Sequence, residues 1–485
     1  MKSRRIIIST LVAMALLVLA LGFSQAQGPG PSEEGAGIQT TLDTVFTYQG
    51  QLKKGGKPVS DTCDFQFSLW DDETGGNQIG PNQDKTISVS NGLFTVQLDF
   101  GPGAFQGDAR WLQIAVACTG DPAYVTLYPR QKLTPAPYAL ALPGLWTQPN
   151  ATSPNLIGGY SGNWVTSGTV GATIGGGGTS DLTNRVTDDY SVISGGVNNQ
   201  AGNNDSDPMN AAYTTVGGGS GNQASGWGAT VGGGSGNQAS GWGATVGGGV
   251  SNTASDRATV GGGYGNTATL FGTVSGGWSN SACASSAVGG GRSNDACGRY
   301  ATIGGGLDNR ASYWAATVGG GESNTASGSY ATVPGGYGAA ATHYAQMAYA
   351  SGVFGSPGDA QASLYVLRNT TTSAITQTEL FLDGSHQRIT ITSGRTMTFD
   401  ILVVGREDDN GESAGYQIRG VIERVGDNTA FVGSVSTTIL GKDDPAWDVS
   451  VIADDAYDAL CILVQGGDGD TVRWVAVVRT AEVTW

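Results

Sequence analysis

Charge is scarce in this sequence. Charged residues make up 13% of the chain, about half the usual share near 25%. That scarcity excludes a coiled coil or a long charged helix. Histidine is nearly absent, with His343 and His386 the only two. The five cysteines are Cys63, Cys118, Cys283, Cys297 and Cys461, and none lies in a CxxC pair. A Cys/His metal centre has almost no ligands to draw on, so no metal is expected. Positive charge is the scarcer sign: 24 Lys+Arg face 40 Asp+Glu, a net charge of −16. Such a surface repels phosphate backbones, and no nucleic-acid partner is expected. Proline numbers only 16 and glycine keeps no every-third register, which excludes collagen. Disorder fits poorly with 39% hydrophobic residues, 11 Trp and 17 Tyr.

Long apolar runs are also missing, apart from one at the start. Ile6 to Phe23 follows Lys2, Arg4 and Arg5, and Ser24-Gln25-Ala26 supplies small residues for cleavage. Residues 1–26 therefore read as a secretory signal peptide, whose removal takes the net charge from −16 to −19. No other segment approaches 18 apolar residues, so no integral membrane anchor is identified. The product is expected to be secreted or at the cell surface.

The catalytic inventory is thin. Gly411-Glu412-Ser413-Ala414-Gly415 matches GxSxG, but no histidine follows Ser413, and that motif needs one on a strand–turn–helix. Asp408, Asp409, Asn410 and Glu412 either coordinate calcium or form a solvated turn. The Gly-Gly-Gly runs lack the Lys and Ser/Thr of a phosphate-binding loop. The expectation is a non-enzymatic protein with no catalytic residue and no cofactor.

What is abundant is glycine, and it is concentrated. Of the 80 Gly, residues 143–357 hold 51, together with five Arg and no Lys. This zone is a tandem repeat with anchors at Val216, Val231, Val246, Val260, Val274, Val288, Ile303, Val318 and Val333, spaced 14–15 residues apart. Gly lies two and three after every anchor, Ala eight after every anchor, and Asn six after eight of the nine. Weaker copies begin at Ile157, Ile174 and Ile193. The period is too short for a helical repeat. It suits coils of short strands and tight turns, with the anchor and the Ala pointing inward and stacking on their equivalents. Gly is expected at the turns, with Asn sharing that left-handed role.

Cys283 and Cys297 occupy one position of adjacent coils, where stacking puts their Cα atoms about 4.8 Å apart. They are either bridged or two small buried thiols. Aromatics recur eleven or twelve after the anchor: Trp227, Trp242, Phe271, Tyr300, Trp314, Tyr330 and Tyr344. On stacked coils they form a stripe, which is either a sticky or sugar-stacking face, or a surface for contact between chains of a trimer or for packing against the coil corner.

The coil pattern resembles the head repeats of YadA-like trimeric autotransporter adhesins over residues 157–350. The resemblance implies a left-handed β-roll and a homotrimer. The chain departs from that family in lacking heptads after the head. Residues 38–142 read as an antiparallel sandwich, with strands such as FQFSLW (65–70) and LFTVQLDF (93–100). Cys63 and Cys118 either pair within it or remain free thiols. Residues 358–485 carry about nine candidate strands and read as a sandwich or jelly roll. Segments GESAGYQIRGVIER (411–424) and VRWVAVVRTAEV (472–483) resemble tip domains of phage tail fibres, which implies a capping role and a glycan or cell-surface ligand.

The expected fold class is all-β: an N-terminal β-sandwich, a central parallel β-roll solenoid and a C-terminal β-sandwich or jelly-roll cap. The expected function is a fibre-like adhesin. The alternative is a component of an extracellular coat or sheath, or a phage-derived tail fibre.

Overall fold

The computed structural model describes residues 44–101, 103–105, 108–134, 144–372, 376–409 and 411–485. Residues 1–26, read from sequence as a signal peptide, and the prolines Pro135 and Pro137 lie outside the described residues. The described residues are all-β, with no helix among them. The chain divides into two compact units, Met1–Leu140 and Ala141–Trp485.

In the first unit, strict alternation makes one-sided strands. Strands Gln78–Val89, Asp61–Trp70, Trp111–Cys118 and Val125–Lys132 form an antiparallel sheet in that order. Phe46–Gln51 pairs with Leu93–Leu98 in a second sheet. Phe65, Phe67 and Leu69 turn inward and meet Phe94, Val96 and Leu98. Cys63 and Cys118 are directly opposed and form a disulfide, with Cα atoms 4.0 Å apart. It closes a loop of 55 residues, worth about 4 kcal/mol of unfolded-state entropy. Replacing both cysteines with serine is expected to lower the stability of this unit by about that amount, read as a drop in denaturant midpoint; an unchanged midpoint would refute it.

The second unit begins with Leu145–Gln148, which runs antiparallel to Asn155–Gly158 and covers the first edge of the solenoid. From there the anchors stack in parallel register, from Ile157 on Ile174 through Val318 on Val333. The Ala positions stack as a second sheet of 12 strands. A third line of single parallel bridges joins residues four after each anchor, from Val197–Ser220 to Glu322–Tyr337. The interior is narrow and closely filled. Anchors and alanines are fully buried, as are Ala229, Ala244, Ala258, Ala301, Ala316 and Ala331, two residues before an anchor. Coils at strand spacing rise about 4.8 Å each.

The structure corrects the reading of the asparagines. They are inward-facing and buried, and positive φ falls instead on the residue before, as at Ser251 and Ser279. Each amide spans two coils. Asn252 Nδ2 donates to Gly248 O and to Gly263 O, both at 2.9 Å. Its Oδ1 accepts the Asn266 backbone N–H at 2.9 Å. The ladder runs from Asn163 to Asn324, whose Oδ1 accepts Ala339 N–H. Glycine precedes it for a steric reason. A Cβ on Gly234, at φ +89°, would collide with the Gly249 carbonyl oxygen and approach Asn237 Nδ2 to 2.8 Å.

The last coil passes into the cap without a break. Met347–Ser351 pairs in parallel with the coil strands and antiparallel with Ala360–Thr371. The sheet then continues through Val472–Thr484, Arg395–Glu407 and Ser413–Val425. A second sheet, of Thr378–Glu379, Ala459–Gln465, Ile389–Thr390 and Asp448–Asp454, packs on it around Trp447 and Trp474. The edges of the anchor sheet are thus covered at both ends of the solenoid.

Candidate functional site

The coil length decides the geometry of one corner. In 15-residue coils a single residue before the next anchor has positive φ, for example Gly228, Gly243, Tyr300 and Tyr330. In 14-residue coils two successive residues do, Asp256–Arg257 and Leu270–Phe271 among them. The amide of this turn donates to the equivalent turn one coil earlier: Gly243 N to Trp227 O at 2.8 Å, Arg257 N to Trp242 O at 2.9 Å. Side chains at the corner are therefore stacked and directed outward.

The aromatic side chains there form a ladder. Tyr190 stacks on Tyr213 with centroids 5.4 Å apart and planes 9° apart. Tyr213 meets Trp227 at 5.5 Å, and Trp227 meets Trp242 at 5.6 Å. Arg257 then lies over Trp242 at 4.0 Å and over Phe271 at 5.3 Å. After an interruption at Ser285, Arg299 lies 5.0 Å from both Tyr300 and Trp314, and Tyr330 meets Tyr344 at 5.4 Å. Trp227 is 42% exposed and Trp242 is 49% exposed. Half of each ring is buried against its neighbours and half faces water. They border an open groove of about 560 Å³, floored by Gly226 and Gly241 and edged by Asp256.

The stripe ends at a second cleft, of about 670 Å³, between the last coils and the cap. Tyr313, Tyr344 and Tyr457 line it with His386 and Arg388. Its basic side chains are already engaged. Arg388 is paired bidentately with Glu379 at 2.8 Å and stacked on Tyr457, and His386 faces Asp383. His343 joins the last coil to the cap, its Nε2 2.9 Å from the Thr390 carbonyl oxygen. Burial holds its pKa below the ordinary histidine value.

The other residues singled out from sequence are not members of the aromatic ladder. Cys283 and Cys297 are disulfide-bonded between adjacent coils, with Cα atoms 4.6 Å apart. Burial pushes the remaining Cys461 thiol up to about 12, so it is held as the neutral thiol at neutral pH. Ser413 opens a strand and hydrogen-bonds the Gly411 carbonyl, far from strand–turn–helix geometry. Glu412 is brought together not with Asp408 and Asp409 but with Asp444 and Asp470, their carboxylate oxygens within 4.8 Å of one another; Asn410 lies outside the described residues.

A second outward line was not visible in the sequence. Tyr264 and Trp278 meet at 5.7 Å, and Arg292 lies over Trp278 at 4.7 Å. These residues sit four after the anchor, where the sequence reads Ser, Ser, Val, Tyr, Trp, Arg, Leu, Glu, Tyr. No single residue type recurs there, so only the bridge register reveals the line.

Comparison with known proteins gives little beyond the fold. Residues 47–130 match a family described as a domain of unknown function, DUF8740. No curated protein matches the chain. Among solved structures it is similar to tailspike protein gp49 from Acinetobacter baumannii bacteriophage Fri1, a capsular polysaccharide depolymerase. The identity is 8% and the TM-score 0.17, over 65% of this chain and 70% of that one. It is also similar to the tailspike of Acinetobacter baumannii phage AM24, at 9% identity and a TM-score of 0.19, over 65% of this chain and 61% of that one. Neither is an autotransporter adhesin.

Against the expectation of a non-enzymatic chain, the Fri1 protein is described as a capsular polysaccharide depolymerase, and the expectation is not kept. The physical reason is that the expectation rested on local motifs. A folded chain assembles carboxylates from distant segments, as Glu412, Asp444 and Asp470 show here, and no motif announces such groups.

Proposed function

We propose that this chain is a fibre-like protein of the tail-fibre kind, extracellular or virion-associated, that binds polysaccharide along the aromatic corner of its solenoid. One observation carries the reading: the half-exposed ladder from Tyr190 through Trp227 and Trp242 to Phe271, on a rigid shaft. Flat rings held at coil spacing offer apolar platforms to successive pyranose faces, at little cost in side-chain entropy because the rings already pack on each other. Polysaccharide is also the ligand class named for the Fri1 tailspike.

In this reading residues 157–350 form the shaft, 358–485 the cap and 38–142 a separate module, and the working form is a homotrimer. A mass measurement in solution tests the last point. A surface adhesin is the second reading, favoured by the secretory pattern from Lys2 to Ala26.

The test is the double variant Trp227→Ala, Trp242→Ala. Polysaccharide affinity is expected to fall at least about thirtyfold, the scale of a lost aromatic anchor, while mass and thermal stability stay unchanged. A variant that loses its oligomeric state instead would assign the stripe to packing between chains.

A further inference from the structure

We infer that the polysaccharide is anionic, and that Arg257 and Arg299 read its acidic groups. The inference rests on the polysaccharide reading above and specifies the ligand's chemistry.

Cations are rare on the shaft, so their placement is informative. Residues 143–357 contain five Arg and no Lys, in a chain of net charge −16. Two of the five are occupied locally. Arg185 hydrogen-bonds Gln200, and Arg310 pairs with Asp295 at 3.7 Å. The other three, Arg257, Arg292 and Arg299, have no carboxylate partner among the described residues, and each lies on an aromatic ring. A guanidinium held over a ring still has N–H groups to offer a second partner, and its planar fork suits a carboxylate or sulfate better than a mobile Lys would.

Arg257 and Arg299 both stand on the corner stripe, each touching two rings. They belong to the coils anchored at Val246 and Val288, three coils apart, which is about 14 Å. A chain lying along the corner meets rings and cations in alternation. Asp256 edges the groove beside Arg257, so an anion must be met by the guanidinium itself and not by a general positive field. Arg292 stands on the other outward line and serves as an internal control.

The test is equilibrium binding of the full-length protein to polygalacturonate and dextran sulfate, against carboxyl-reduced polygalacturonate and unsubstituted dextran. Either anionic polymer is expected to bind at least about tenfold tighter than its neutral counterpart, the scale of a charge-assisted hydrogen bond. A preference confined to polygalacturonate identifies carboxylate as the group read, and one confined to dextran sulfate identifies sulfate. Arg257→Gln and Arg299→Gln should each remove most of that preference, and Arg292→Gln should leave it intact. Equal binding of charged and neutral polymers overturns the inference while leaving the polysaccharide reading standing, provided Trp227→Ala, Trp242→Ala abolishes both. Loss of preference in Arg292→Gln equal to that in Arg257→Gln also overturns it. Failure of all four polymers to bind the unaltered protein overturns both.

Discussion

Asn252→Asp is expected to destabilise the centre of the shaft by about 4 kcal/mol or more at pH 7. The substitution is nearly isosteric, so packing does not explain the effect. Nδ2 donates to Gly248 O and Gly263 O, both at 2.9 Å, and the side chain is fully buried. An oxygen in its place faces two carbonyl oxygens with no proton between them, buried away from solvent. The carboxylate so created has a folded pKa above its unfolded value near 3.9. Its penalty is therefore smallest below about pH 4 and grows as pH rises through the folded value. Asn252→Ala loses the same bonds without burying a charge, and its deficit should be flat with pH. Urea denaturation of both variants at pH 4 and pH 7 checks this; an Asp deficit that does not grow with pH would refute the account.

Arg395→Met is expected to cost the cap about 3–5 kcal/mol, the scale for stranding a buried charge. Glu482 is fully buried, and Arg395 binds it at 2.7 Å. Gln361, Thr480 and Tyr365 complete its shell. Gln361 also accepts Ala340 N–H and donates to Ala340 O, at 2.8 and 3.0 Å. It thus pairs with backbone that another coil would otherwise have met. Losing Arg395 should loosen this junction, read as faster hydrogen exchange in the coil at Ala340. The double variant Arg395→Met, Glu482→Met should recover most of the loss, because a buried ion pair replaced by apolar groups is often neutral. Equal loss in the single and double variants would show that the pair acts by packing alone.

The asparagine ladder and the junction show where local reading stops. Asn recurs in eight copies and is missing from the ninth, where Ala339 takes its place. Sequence periodicity found the position, but its role was assigned to the turn because Asn tolerates positive φ. The structure places it inward, because Gly carbonyls on two coils converge there and need donors. The exception at Ala339 also becomes intelligible: above it lies the cap rather than another coil. The corner stripe was legible at Trp227, Trp242, Phe271 and Trp314 because those positions repeat. Arg257 was not recognised with them, since its contribution depends on lying over two rings.

The period, the inward Val/Ile and Ala ladders and the register that puts Cys283 opposite Cys297 can all be read along the chain. These follow from one rule: in a stacked coil, equal positions meet. The hydrogen-bond partners of Asn, the second line at Tyr264 and Trp278, the Gln361–Glu482–Arg395 junction and the convergence of Glu412 with Asp444 and Asp470 emerge only on folding. In each case the partners come from segments of unlike sequence, and no repeat relates them. Scarce charge remains the guide to function. In a shaft with five Arg, the three with neither a carboxylate nor an amide partner among the described residues are the ones that lie on aromatic rings.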